Sequence, residues 1–298
     1  MDRIKTPLIV FAIIGMAFTF TSCTIMGDGE DCDPDTQNCE TTDPVNPEPG
    51  WFGATAWHPD GEWIVAEHNV AFDTDGDDVP DSVARSGIWL VNATTGEVQD
   101  EPLLEWGHFP DWSPDGSQLV LHQGRHIYTL TVLSLDPPRI DTTSIRQLTT
   151  EGRNFYPDWS PDGEWIAYDN TVCGSTGEPL PDNSCGILVI KKDGTNKKLI
   201  TRGRIPEWSS IYNKIYYQGL ENKIFVADTI NATFLKLTKD ERSDSHPQYS
   251  PDGSIIAYLS APPPPAPSVV SIWRMNPNGS SPQKMSPDWS GVFELAIY

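Results

Sequence analysis

The chain has 298 residues, more than one ordinary hydrophobic core accommodates, so it forms either two domains or one large repetitive domain. Its formal net charge is −22, which disfavours nucleic acid and anionic lipid headgroups as partners, because both require basic surface. Eleven Trp among 27 Pro point to an all-β chain: Pro punctuates turns and is kept out of central strands, while aromatic residues cover sheet surfaces.

Met1 to Ser22 read as an export signal. Arg3 and Lys5 precede an apolar run from Pro7 to Phe20, about 14 residues and shorter than the roughly 20 that span a bilayer as a helix. Phe20-Thr21-Ser22-Cys23 resembles a bacterial lipobox, with Cys23 as the lipidated first residue of the mature chain, although Phe20 stands where Leu is common. An outer-membrane anchor facing the periplasm or the cell surface is the expected location. The segment 23–50 is an acidic tether: Thr24 to Gly50 hold eight acidic residues, no basic one and several Pro, a composition that buries no core.

Four further cysteines are Cys32, Cys39, Cys173 and Cys185. An even number in an exported chain suggests disulfides. Three pairings exist, and Cys32–Cys39 with Cys173–Cys185 is favoured because each closes one short loop, worth roughly 3 kcal/mol in the chain-entropy model. Zinc is the weaker alternative, since neither pair has neighbouring ligands at tight spacing.

From Trp51 onward one unit repeats. Trp57-His58-Pro59-Asp60-Gly61, Trp112-Ser113-Pro114-Asp115-Gly116, Trp159-Ser160-Pro161-Asp162-Gly163 and Tyr249-Ser250-Pro251-Asp252-Gly253 each precede an apolar run. Trp208-Ser209 and Trp289-Ser290 begin reduced copies without the Pro-Asp-Gly. The aromatic anchors lie 55, 47, 49, 41 and 40 residues apart, the scale of a four-stranded propeller blade. In Ser-Pro-Asp-Gly, Ser and Asp bond nearby backbone amides, Pro presets φ and Gly takes a positive φ, which makes a hairpin turn between a first and a second strand. Third strands are expected near Ile88, Ile127, Ile187, Phe225 and Trp273, and fourth strands near Leu148, Ile200 and Leu237.

The pattern Pro-x-Trp-Ser-Pro-Asp-Gly, then Ile-Ala-Tyr, Ile-Tyr and Leu-Thr, resembles the TolB-like β-propeller repeat over Trp51 to Tyr298. The resemblance implies one all-β propeller domain, residues 51–298. Six anchors lead us to expect six blades with a reduced last one; the alternative is five, with units one and six sharing a blade.

Three features carry candidate chemistry. Asp73, Asp75, Asp77 and Asp81 alternate around Gly76 and, with the Val79 carbonyl, resemble the calcium loops of thrombospondin type 3 repeats; Ala84 stands where a twelfth-position acid is usual, and the alternative is a solvated acidic loop. Ala261 to Pro267 is a polyproline spacer. The residues just before the anchors are Asp111, Asp158, Glu207, Gln248 and Asp288, with Ala56 in unit one. Strand alternation directs them opposite to the buried anchor, toward the central channel, as a candidate ring for a metal ion or a basic peptide. The alternative is that each Asp caps its own turn.

No Gly-x-Ser-x-Gly elbow, His-Glu-x-x-His, P-loop or dinucleotide fingerprint occurs. A non-enzymatic propeller that binds a protein or glycan of the cell envelope is therefore expected. The alternative is a polysaccharide lyase or other metal-assisted enzyme using His108 or His246.

Overall fold

The computed structural model describes residues 51–72, 82–171, 186–209, 213–219, 221–250, 252–264 and 269–288. Every named element among them is a strand, and the strands form five antiparallel sheets in sequence order. Blade 1 contains β1 (Trp51–Trp57), β2 (Trp63–Phe72) and β3 (Ser82–Asn92). Bridges from Val98 to Val91 and from Leu104 to Ile88 extend its outer edge. Blade 2 is β4 (His108–Trp112), β5 (Gln118–Gln123), β6 (His126–Leu135) and β7 (Pro138–Gln147). Blade 3 is β8 (Asn154–Trp159), β9 (Trp165–Asn170), β10 (Gly186–Lys191) and β11 (Lys198–Thr201). Blade 4 is β12 (Arg204–Trp208), β13 (Lys214–Gln218), β14 (Ile224–Asp228) and β15 (Thr233–Lys236). Blade 5 is β16 (Ser243–Tyr249), β17 (Ile256–Ala261), β18 (Ser271–Met275) and β19 (Gln283–Lys284).

The expectation of six blades is corrected to five. Unit five supplies all four strands of its own sheet, and its last strand ends at Lys284, four residues before the end of the described chain. The sixth anchor, Trp289, lies outside the described residues, as do Cys23, Cys32, Cys39, Cys173, Cys185 and the string Asp73, Asp75, Asp77, Val79 and Asp81.

The Ser-Pro-Asp-Gly turns behave as their chemistry dictates. In blade 2, Ser113 Oγ donates to Asp115 Oδ1 at 2.7 Å, and the same oxygen accepts from Ser117 N–H at 3.0 Å. Gly116 sits at φ 72°. These bonds favour the ionised acid and hold the Asp115 carboxyl down at about 2. Blades 3 and 5 repeat the contact at 2.6 and 2.7 Å. In blade 1 His58 replaces Ser, bonding Gly116 O through Nε2 and standing edge-on to Trp112 at 4.7 Å.

Adjacent blades are held together by their anchors. Trp112 packs with Val65 and Leu90 of blade 1. Trp159 meets Val120 and Ile127 of blade 2, Trp208 meets Ala167 and Ile187 of blade 3, and Tyr249 meets Tyr216 and Ile224 of blade 4. A large aromatic so buried removes about 150–250 Å² from water, roughly 4–6 kcal/mol as an upper bound. Each of these anchors is less than 9% exposed, whereas Trp57 is 45% exposed. The difference follows from position: each of these anchors wedges against the blade before it, and among the described residues no blade packs to that extent against Trp57 from the other side. Among the described residues the innermost strands pack in the series β1, β4, β8, β12, β16, and no packing of that extent joins β16 back to β1.

Candidate functional site at the channel mouth

The innermost strands of blades 2 to 5 break register with their neighbours at the same place. The shifts fall between His108 and Asp111, Phe155 and Asp158, Arg204 and Glu207, and Ser245 and Gln248. Within each bulge lies a Pro: Pro110, Pro157, Pro206 or Pro247. Pro lacks an N–H, so it belongs where the ladder is interrupted. The residue before it takes a left-handed conformation: Phe109 at φ 49°, Tyr156 at 51°, Ile205 at 53° and His246 at 50°. Non-glycine residues there cost on the order of 1–3 kcal/mol each and persist only where surroundings hold them.

The bulges free backbone N–H groups, and carboxylates of the preceding blade accept them in two tiers. In the lower tier, Trp159 N–H donates to Asp111 Oδ2 at 2.7 Å and Trp208 N–H to Asp158 Oδ2 at 2.5 Å. Tyr249 N–H donates to Glu207 Oε1 at 3.3 Å, and Gln248 Nε2 donates to Glu207 Oε2 at 3.0 Å. These acids therefore bridge to the next blade rather than cap their own turns. In the upper tier, Phe109 N–H donates to Glu67 Oε2 at 3.4 Å and Ile205 N–H to Asp169 Oδ2 at 3.1 Å.

The lower tier sets Asp111, Asp158, Glu207 and Gln248 in one row across blades 2 to 5. Asp111, Asp158 and Glu207 retain some exposed surface yet are closely surrounded by protein. Burial pushes Asp111 up to about 6 and Glu207 up to about 8. Asp158 is raised well above the carboxylate range, first by burial and then by the charges of Glu207 and Asp111. A hydrogen bond joins Asp158 to Asp111, and it lowers Asp111 while raising Asp158. Asp288 does not join this row; it is exposed and accepts from Lys284 Nζ at 2.6 Å. Ala56 leaves the junction between blades 1 and 2 without a lower-tier carboxylate.

The upper tier lies where the innermost strands begin. His108 Nδ1 meets Glu67 Oε1 at 2.9 Å, and this partner raises the imidazole against its burial. His122 stacks on His108 and Phe109 with centroids 5.3 and 5.5 Å apart, and Phe109 meets Tyr156 at 4.3 Å. Tyr156 in turn stands 6.2 Å from His246. Burial pushes both His122 and His246 down to about 4, so both rings are neutral at pH 7. Asp169 is fully buried and raised to about 7 by that burial. Four buried polar atoms here have no hydrogen-bond partner: His122 Nδ1, Asp169 Oδ1, Arg204 Nε and His246 Nε2. Among the described residues, no three His, Cys, Asp or Glu converge as a metal-holding group.

Sequence reading singled out His108 and His246 but missed Glu67, Asp169 and Arg204. A signal existed: Glu67, His122 and Asp169 each stand ten residues after their anchors. Strand alternation in a single unit could not show that the anchor strand and its partner share this rim.

No family model matches the chain. An uncharacterized protein of Agrobacterium fabrum is 25% identical over 219 residues, covering 70% of this chain and 68% of that protein. The putative TolB of Agrobacterium tumefaciens matches with a TM-score of 0.59 at 18% identity, covering 80% of this chain and 81% of that chain. TolB of Acinetobacter baumannii matches at 0.56 and 19% identity; the cover is 77% of this chain and 53% of that one, so this chain spans about half its length. These likenesses show the fold, a TolB-like β-propeller.

Proposed function

We propose that the chain is an exported, lipid-anchored binding propeller of the bacterial cell envelope that engages a protein, or a glycan, at its channel and catalyses nothing. The observation that carries this reading is the set of unpartnered buried polar atoms at the mouth, on Asp169, Arg204, His122 and His246. Buried polar groups are normally paired, so four at one rim fit a surface completed by a ligand. The row Asp111, Asp158, Glu207 and Gln248 would meet a basic group reaching deeper into the channel. Export and anchoring at Cys23 rest on the sequence alone, as do calcium at the Asp73–Asp81 string and the Cys32–Cys39 and Cys173–Cys185 disulfides. Calcium titration and non-reducing peptide mapping test the last two.

The test is a crosslinking pull-down from envelope extract with the mature chain and with Arg204→Gln/His246→Gln. A defined protein or glycan retained by the first and lost from the second supports the reading. Equal retention on both, or none on either, refutes it. One observation favours a second reading, a lyase: the Glu67–His108 pair sits beside a second imidazole at the same rim. Turnover of acidic glycans with divalent metal, abolished by His108→Ala, would replace the binder with the enzyme.

A further inference from the structure

Antiparallel order fixes which features share a face. The innermost strands start at the mouth and run to the Ser-Pro-Asp-Gly turns on the opposite face. Connections from the second to the third strand, and from each blade to the next, therefore return to the mouth. Arg125 lies in the β5–β6 turn, while Arg153 and Arg202 lie just before β8 and β12. All three are exposed, and none forms an ion pair among the described residues. The Arg125 carbonyl accepts from Asn154 N–H at 3.0 Å, which places Arg125 beside the Arg153 segment. In a chain of net charge −22, three unpaired arginines rim the side of the channel that belongs to blades 2, 3 and 4.

Inside that rim stands Arg204, half-buried, its Nε enclosed and unpartnered. A guanidinium presents donors in a fixed planar fork that matches a carboxylate. The aromatic rings of Phe109 and Tyr156 and the free Nε2 of the neutral His246 complete the surroundings. Beside Arg204, the buried Asp169 accepts from Ile205 N–H through Oδ2 at 3.1 Å and holds that strand in place.

We propose that the channel mouth is a carboxylate-binding site, with Arg204 as the fork, His246 as the second donor and Arg125, Arg153 and Arg202 as an attracting rim. This rests on the reading of the mouth as a ligand surface and names the chemistry it takes. The carboxylate can be presented by an acidic peptide or by a small organic acid. A row of acidic side chains would also use the rim, whereas a small acid would use Arg204 and His246 alone.

The test is isothermal titration of the full mature chain at low salt with hexaglutamate, hexaglutamine and succinate. Hexaglutamate should bind saturably, hexaglutamine should not, and the affinity should fall with added salt. Arg204→Gln should weaken binding at least tenfold (about 1.4 kcal/mol) while leaving the melting temperature in place. Arg139→Gln, an exposed change on an outer strand, should bind as the wild type does. Binding of succinate as tight as that of hexaglutamate assigns the site to small acids; much weaker succinate binding assigns it to acidic peptides, and either supports the proposal. Equal binding of the acid and amide peptides, no saturable carboxylate binding up to about 1 mM, or an unaffected Arg204→Gln overturns it. Such a failure leaves the envelope pull-down unchanged, so the two readings fall separately.

Discussion

Replacing Asp158 by Asn isolates the proton shared along the lower tier. Asp158 Oδ2 accepts from Trp208 N–H at 2.5 Å, and an Asn carbonyl can do the same. The Asn amide would also donate permanently to Asp111. In the unfolded chain these carboxyls ionise near pH 4. In the folded protein Asp111 keeps its proton to about 6 and Glu207 to about 8, with Asp158 also strongly raised. Raised folded values mean that the row stabilises fully below about pH 4 and loses that contribution as pH climbs toward 8. Two pKa units correspond to about 3 kcal/mol, but partial exposure of the row screens it, so about 1–3 kcal/mol is expected. For a domain of this size that lowers the melting temperature by about 5 °C between pH 5 and pH 9. Asp158→Asn removes one titration and the repulsion that Asp158 meets from Glu207 and Asp111. Its melting point should match wild type within about 2 °C at pH 5 and exceed it by a few degrees at pH 9. Thermal melts at constant ionic strength across this range provide the assay. A mutant curve parallel to wild type throughout, or one lower at pH 9, would refute the shared-proton account.

Three other perturbations test the framework. Trp159→Ala should cost about 3–5 kcal/mol in chemical denaturation, whereas Trp57→Ala should cost less than about 1, because only the former fills a junction between blades. Gly116→Ala should destabilise by about 1–3 kcal/mol in the same measurement: φ is 72°, and a Cβ would lie 2.3 Å from His58 Nε2. Glu67→Gln should flatten the pH dependence of stability above about pH 6.5. His108 is raised above its ordinary 6.5 by Glu67, so its contribution is present below that pH and lost as pH rises through the folded value. Solvent at His108 keeps the effect below about 1 kcal/mol, and titration of its ring protons by NMR should show the same downward shift.

The alternating runs and the Ser-Pro-Asp-Gly turns were legible in the sequence because their physics is local: each turn closes on its own side chains, and each strand declares its faces by alternation. The anchors were legible as a period, and Asp111, Asp158 and Glu207 as a recurring position just before them, for the same reason. What those acids bond to was not, because Trp159, Trp208 and Tyr249 lie 42 to 50 residues away in the next blade. Blade count also belonged to the tertiary structure: an anchor marks a potential sheet, but a blade forms only where strands pair, and among the described residues five such sheets form. The mouth needed the packing of successive blades. Glu67, His122, Asp169, Arg204 and His246 come from five blades, and only the curvature of the packed sheets, set by one wedge against the blade before it, brings their side chains to one rim.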